Sequence, residues 1–392
     1  VKRVAVLGGG PAGSMAAAGI AAAGLDTILL DEKLAWEKPC GGGITFKAYT
    51  RYPFLLENDR PKKVVSDAVL TEPSSGSVQM GLTQPLVIFS RYDLNGLLLK
   101  RAEDAGVQIE QDRVTGLERK GSGWSIKTRA GALDADFVVV ATGARNALRN
   151  VGTEWSAADT MYALGYWVPD ERSRIDIQFF PNFEGYIWVF PRCGHLSVGI
   201  CGKGESAPKM RARLEQYMLD NGIPLKDAKF YGHMIPALER PSWRSNRVSG
   251  EGWMAVGDAA GLVDPVTGEG LYYAFRSGDL AAQSILNEQH DPAQRPALYR
   301  SLIHGEFMED LTLGAGLAKR FFIQRIMFSS VPARMIELMR RSPRMMEIVQ
   351  DLFSGTQGYL DLKARLLANL NGTFLEVCIG SMLGHRVVKE GR

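Results

Sequence analysis

Residues 4–7, VAVL, make a short apolar run of the kind that forms a strand buried on both faces. A stretch rich in Ala and Gly follows, and a second apolar run at 27–30 ends at Asp31. The order predicts strand, glycine turn, helix, strand. From 63 to 90 apolar and polar residues alternate between Pro, Gly and Ser, which predicts antiparallel strands. A helix is expected over 94–105, behind Arg91 and stopped by Gly106. Residues 107–141 read as a short strand, a small meander and a buried run at 137–140. Alternation returns from about 160 to 236, broken by one helix near 209–219. A buried strand at 253–256 leads into Gly257 and Asp258, and Gly268 and Gly270 open a helix reaching about Leu286. Beyond about 293 the strand pattern vanishes and the last hundred residues read as helical.

This succession defines an α/β protein in which a Rossmann-type nucleotide-binding domain is interleaved with an antiparallel β-sheet domain, followed by a C-terminal helical region. The expected boundaries are 1–61, 91–158 and 240–292 for the first, 62–90 and 159–239 for the second, and 293–392 for the third. A length of 392 residues accommodates such a division, and a formal charge of +3 is too small to suggest a nucleic-acid partner. Cys40, Cys193, Cys201 and Cys378 are scattered without metal or disulfide spacing. The simplest expectation from them is a reducing cytoplasm. His195, His233, His290, His304 and His385 show no ligand spacing either, so no metal is expected. Residues 4–25 carry no charge, yet three consecutive glycines, Pro11 and a weakly apolar helix argue against a signal peptide or membrane span.

The first segment carries the chemistry. Gly8, Gly10 and Gly13 give G-x-G-x-x-G, with Ala12 also small. The first glycine permits the turn, the second lets backbone approach a pyrophosphate, and the third lets helix pack on strand. The helix start directs its N–H groups and positive dipole end at the phosphates. Asp31, about 20 residues on, is placed to take ribose hydroxyls. Residues 38–44, KPCGGGI, form a second glycine-rich turn able to lie close to a ligand. Arg91, Ala141-Thr142-Gly143 and 257–271, GDAAGLVDPVTGEGL, are expected to converge on the same cofactor. Asp258 at a strand end suits a polyol chain, and the helix opened by Gly268 and Gly270 suits negative charge on a reduced isoalloxazine. An Asp after a strand is commonly a helix cap; the first glycine loop favours flavin.

The set GGGPAG, Asp31, Arg91 and GDAAG…P…GEG resembles the FAD-dependent family with the p-hydroxybenzoate hydroxylase fold, over roughly residues 1–290. Within it, KPCGGGI, GEGLYYA at 268–274, YIWVFP at 186–191 followed by Gly199, and the tail at 342–367 are similar to the geranylgeranyl reductases. The resemblance implies FAD held by Gly8, Gly10, Gly13, Asp31, Arg91 and Asp258, with the flavin ring near Gly42, Gly43, Gly268 and Gly270. Pro11, Ala12, Glu32, Cys40, Ile44, Ala141, Thr142, Gly143, Gly257 and Leu271 complete the implied cofactor set. It also implies an isoprenoid substrate lined by Tyr186, Trp188 and Phe190, and a catalytic or redox role for Cys40. For Cys40 the alternative is a small residue chosen for fit.

Members of that family reduce isolated double bonds, drawing on NADPH or another donor. Such an alkene has no neighbouring carbonyl, so a proton delivered with the hydride gives tertiary-cation character. Alternating aromatic faces at 186, 188 and 190 suit that charge; the alternative is half of an ordinary sheet core. Thr142-Gly143 departs from the Asp-Gly usual in aromatic hydroxylases of the fold, which weakens that reading. The rivals are a flavin monooxygenase or halogenase and a prenyl-lipid carrier. Lys319, Arg320, Arg325, Arg334, Arg340, Arg341 and Arg344 interleave with Phe321, Phe322, Ile323, Ile326, Met327, Phe328, Met335, Ile336, Leu338 and Met339. This cluster is either a face for an anionic membrane or a helical bundle packed on the body. Glu306, Glu309 and Asp310 read as a solvated helix face.

Overall fold

The computed structural model describes residues 1–368 apart from 149, 150, 154 and 327; Met327, Cys378 and His385 lie outside the described residues. The apolar run near the N-terminus becomes the strand Arg3–Leu7 at the middle of a six-stranded sheet. Asp26–Leu30 and Gln108–Glu110 extend that sheet on one side. Phe137–Val140, Trp253–Ala255 and Ser249–Gly250 extend it on the other. Val4 pairs in parallel with both Phe137 and Thr27, and Val4 to Val6 are wholly buried. The helices Pro11–Ala22 and Leu271–Leu286 cross at closely spaced small residues. A Cβ on Gly278 would stand 2.3 Å from the Ala12 carbonyl oxygen, and one on Gly19 would stand 2.9 Å from Ala282. That approach brings the starts of both helices to one edge of the sheet.

The second sheet has eight strands. Its order is Lys229–Pro236, Thr160–Val168, Leu196–Lys203, Glu184–Pro191, Ile175–Phe179, Lys62–Glu72, Gly76–Phe89 and Gly43–Ile44. Neighbours run antiparallel except Ile175–Phe179 beside Lys62–Glu72. Alternation along Glu184–Pro191 separates two cores. Ile187 and Val189 pack under the helix Ala207–Asp220 with Met210, Leu214 and Met218. Tyr186, Trp188 and Phe190 face the opposite side. A small meander, Val114–Lys120, Gly123–Thr128 and Ala132–Ala135, completes the predicted pieces.

Two expectations shift. The helix expected over 94–105 begins at Arg91, because Ser90 caps it: its Oγ accepts the Asp93 N–H at 3.0 Å. The C-terminal region is not wholly helical, since Arg325–Ile326 pairs with Ser329–Ser330. Its helices, among them Glu309–Ile323, Val331–Arg341 and Pro343–Ser354, cover the aromatic side of the eight-stranded sheet. Phe322, Ile336 and Met339 are buried there, so much of the apolar content of the basic cluster is spent on packing. Among the described residues no helix is long and apolar enough to cross a membrane.

Candidate active site between the two sheets

A cavity of about 830 Å³ lies between the two sheets and under the C-terminal helices. At one end it meets the first glycine turn. Gly8 has φ +119°, and a Cβ there would fall 2.2 Å from the Ala141 carbonyl oxygen; a Cβ on Gly13 would fall 1.9 Å from that of Gly8. These two glycines hold the turn against its neighbours. Gly10 differs, because a Cβ there would meet nothing within 4 Å, so its bareness opens onto the cavity. The helix Pro11–Ala22 has no side-chain cap, which leaves first-turn N–H groups for a ligand. Asp31 Oδ2 accepts the Gly9 N–H at 2.7 Å, while Oδ1 accepts those of Lys33 and Leu34, each at 2.7 Å. Its carboxylate is thereby fixed at the cavity wall.

Arg91 tests whether this end fits the diphosphate of FAD. The residue is only 3% exposed; Nη2 donates to Asn95 Oδ1 at 3.2 Å, and Nε has no hydrogen-bond partner among the described residues. A buried guanidinium with an unspent donor, beside an uncapped helix start, suits a bound dianion. The donor set fits the group.

The second glycine turn forms the middle of the cavity. Gly42 has φ +84°, and a Cβ there would stand 2.1 Å from the Phe89 carbonyl oxygen. Arg192, with no exposed surface, clamps the turn from behind. It pairs with Glu37, donates to the Cys40 carbonyl, and reaches that of Gly41 at 3.4 Å. Glu37 also accepts the Arg91 N–H at 2.9 Å, which links this turn to the helix bearing Arg91. Phe190 packs over the turn, within 3.2 Å of where a Gly41 Cβ would lie. The Cys40 thiol accepts the Gly42 N–H at 3.3 Å and lines the cavity.

Across from it, Lys38 Nζ lies 3.1 Å from Asp258 Oδ2. Burial pushes the Asp258 carboxyl up, but Lys38 and His233 outweigh it and hold the group below the usual carboxylate range. His233 is pushed down to about 3, by burial first and then by the Lys38 charge.

The far end is apolar. Phe179, Tyr186, Trp188 and Phe190 form its floor, and Phe321, Met335, Leu338, Ile348 and Phe353 its roof. A Cβ on Gly199 would stand 2.3 Å from the Trp188 ring, so the glycine makes room for the indole. Tyr186 stacks on Phe322 at 6.5 Å and donates to the Thr267 carbonyl, which fixes the aromatic strand to the turn carrying Gly268. Gly268 there has φ +69°.

The structure brings most of the expected residues to this one cavity. Gly10, Pro11, Ala12, Asp31, Cys40, Gly42, Gly43, Arg91, Ala141, Thr142, Gly143, Asp258, Gly268, Gly270, Leu271, Tyr186, Trp188 and Phe190 line it. Gly8, Gly13, Ile44 and Gly257 stand behind the lining. Glu32 is turned away, 3.2 Å from Arg129 and 3.7 Å from Arg113 at the surface. Glu37, Arg192 and His233 escaped the sequence reading, and Lys38 entered it only as the start of the turn, because a charged residue beside a turn or in a strand gives no sign of burial. Asp310 corrects it: Glu306 and Glu309 are exposed, but Asp310 is half-buried and lines the cavity. The helix turns it inward, since Gly358 and Leu360 pack against its carboxylate.

The model of the family described as FAD dependent oxidoreductase matches residues 56–278, more than half of the chain. The protein belongs to that family. The chain is also similar to several named reductases, and spans just under two thirds of the length of the chloroplastic ones it matches. The chloroplastic geranylgeranyl diphosphate reductase of Oryza sativa subsp. japonica is 31% identical over 325 residues, which cover 72% of this chain and 66% of that protein. The menaquinone reductase of Mycobacterium tuberculosis is 28% identical with 90% of each chain covered. In fold, the chain is similar to a geranylgeranyl bacteriochlorophyll reductase-like protein of Thermoplasma acidophilum, with TM-score 0.76, 22% identity and coverage of 93% and 98%.

Proposed function

We propose that the protein reduces isolated C=C bonds in a geranylgeranyl or other polyprenyl lipid, with hydride from reduced FAD. The observation that carries this reading is the continuity of the cavity. One space runs from Gly10, Asp31 and Arg91, past Gly42 and Gly268, into an end walled by aromatic and aliphatic side chains. Arg91 and the first helix start neutralise the diphosphate, and Asp31 bonds the ribose. Gly42, Gly43, Gly268 and Gly270 leave room for the ring, whose bound form supplies the two-electron chemistry. Tyr186, Trp188 and Phe190 exclude water and offer π faces to developing positive charge. Cys40, whose thiol opens on the same space, is proposed to take part in the reduction. NADPH or another donor supplies the electrons. We also propose that residues 1–61, 91–158 and 240–292 act as the cofactor unit, 62–90 and 159–239 as the substrate unit, and 293–392 as a third unit whose described residues roof the cavity.

A prenyl tail partitions into bilayers, so the substrate is collected at an anionic membrane surface. Supporting this, Phe328 is 98% exposed and neighbours the exposed Arg325, with Lys319 and Arg320 close in sequence. The deciding assay incubates anaerobically reduced enzyme with a panel of geranylgeranyl lipids. Mass gains in steps of two hydrogens support the reading. Absence of any gain, with oxygen uptake coupled to product or a halide requirement instead, overturns it in favour of oxygenation or halogenation.

A further inference from the structure

Lys47, Asp264, Glu269, Tyr273, Asp310 and Tyr359 meet along one wall of the cavity. Lys47 Nζ lies 3.2 Å from Glu269 Oε2 and 4.6 Å from the centres of the Tyr272 and Tyr273 rings. Asp264 Oδ1 accepts the N–H groups of Val266 and Thr267 and, at 2.6 Å, the Tyr359 hydroxyl. Asp310 Oδ1 accepts the Leu360 N–H at 3.0 Å. Thr45 is 8% exposed and lines the same cavity, and its Oγ1 has no hydrogen-bond partner among the described residues. Burying such groups beside an apolar space costs stability, so packing gives no reason for them.

We propose that Asp310 is the proton donor for the alkene. The inference rests on the reductase reading above. The carboxyl O–H bond breaks and a C–H bond forms at one alkene carbon. Hydride from the reduced cofactor goes to the other carbon, so the alkene gains two electrons and the cofactor is oxidised by two. The carboxylate left behind faces Lys47 and recovers its proton from solvent, to which the half-buried Asp310 has access.

Two groups beside it are engaged elsewhere. Glu269 pairs with Lys47, and the Tyr186 hydroxyl is committed to the Thr267 carbonyl. Burial pushes the Cys201 thiol up to about 12, too weak an acid for the task. Burial also raises the Asp310 carboxyl, with Asp264 adding to the effect; the Leu360 and Tyr359 N–H groups and Lys47 oppose it. Tyr273 and Tyr359 face it as well. A carboxyl that keeps its proton longer than usual while remaining a real acid suits general-acid work.

The test compares wild type, Asp310→Asn and Asp310→Glu, each loaded with FAD and reduced anaerobically, in single turnovers with a geranylgeranyl lipid. Asp310→Asn should slow cofactor reoxidation by roughly 100-fold or more, and Asp310→Glu should restore part of it. The wild-type rate should show a solvent deuterium isotope effect and fall as pH rises through one ionisation, which Asp310→Asn abolishes. Infrared titration of wild-type protein without FAD should show a protonated-carboxyl band that is missing in Asp310→Asn. Equal rates and pH profiles in wild type and Asp310→Asn, or no such band in wild type, overturn the assignment and leave the reductase reading standing. A wild type that reduces no prenyl lipid overturns both.

Discussion

Replacing Arg192 with Met removes the clamp behind the second glycine turn while keeping much of the side chain's volume. The guanidinium is fully buried and serves Glu37 and two loop carbonyls at once. Breaking a buried pair costs about 3–5 kcal/mol. Glu37 keeps its bond from the Arg91 N–H and its side chain is 25% exposed, which places the loss near the bottom of that range, at about 3 kcal/mol. For 392 residues the unfolding entropy is of order 0.8 kcal/mol/K, so the midpoint of an FAD-free sample should fall by about 4 °C. The freed turn also carries Gly42 and Gly43, so FAD affinity should drop about tenfold, equivalent to about 1.4 kcal/mol. Differential scanning calorimetry without FAD and a fluorescence titration with it read the two effects separately. Arg192→Lys keeps the charge but loses the fork, and should fall between. An Arg192→Met protein with unchanged midpoint and unchanged FAD affinity refutes the idea that this clamp shapes the cofactor site.

Asp31→Ala should weaken FAD binding, each charge-assisted bond to ribose being worth roughly 1.5–3 kcal/mol; wild-type affinity in a flavin titration would remove Asp31 from the site. Trp188→Leu should slow single-turnover alkene reduction by the roughly 0.5–2 kcal/mol of a lost cation–π contact, and a change confined to stability would place the indole away from the reacting bond. His233 is depressed to about 3 in the fold, whereas the unfolded imidazole titrates near 6.5, so the unfolded chain binds the extra proton between these values. Stability from this group is therefore full above about pH 6.5 and declines as pH falls toward 5. Urea titrations of His233→Gln without FAD should show a correspondingly smaller drop from pH 7 to 5, and an identical drop would refute the assignment. Lys319, Arg320 and Arg325 are exposed, and each is worth about 1 kcal/mol at an anionic bilayer. Neutralising all three should abolish most sedimentation with anionic liposomes, while a wild type that does not sediment at low salt would end the membrane reading.

What was legible in the sequence were features with a local signature. Gly8 and Gly13 announce a turn that admits no side chain, and the apolar runs at 137–140 and 253–256 announce buried strands. Those runs become neighbouring strands of the six-stranded sheet, whose edge strand Ser249–Gly250 has no apolar run to announce it. The register of Tyr186, Trp188 and Phe190 was legible because a strand has period 2, and the structure puts all three on the cavity side. Arg192 and His233 were not legible. Each sits in or beside a strand, where polarity predicts solvent, and their burial depends on partners about 155 and 25 residues away, Glu37 and Asp258. Asp310 misled for a related reason. Glu309 is exposed and Glu306 reaches Arg276 at 2.6 Å, and only the fold of 358–360 against the helix shows that the third acid turns toward the cavity.

The C-terminal region explains why the cavity is a cavity. Without it, the aromatic face of the eight-stranded sheet would be an open apolar surface beside the two glycine turns, reached by water. The roof is fastened by polar bonds rather than by apolar packing alone. Glu72, fully buried, accepts from the Ser330 hydroxyl at 3.0 Å at the start of one roof helix. Thr83 reaches Asp351 at 2.9 Å and Ser354 at 3.1 Å at the end of the next. Directional bonds of this kind fix where the roof sits, which apolar contacts between Met335, Leu338 and a flexible lipid would not. The same roof contributes Tyr359 and, from the helix Glu309–Ile323, Asp310. The segment that dries the apolar end thus also carries the acid proposed to protonate what is bound there. Exclusion of water and delivery of a proton, which oppose each other in an open cleft, are reconciled by confining the polar groups, Asp310 among them, to one wall beside an otherwise apolar space.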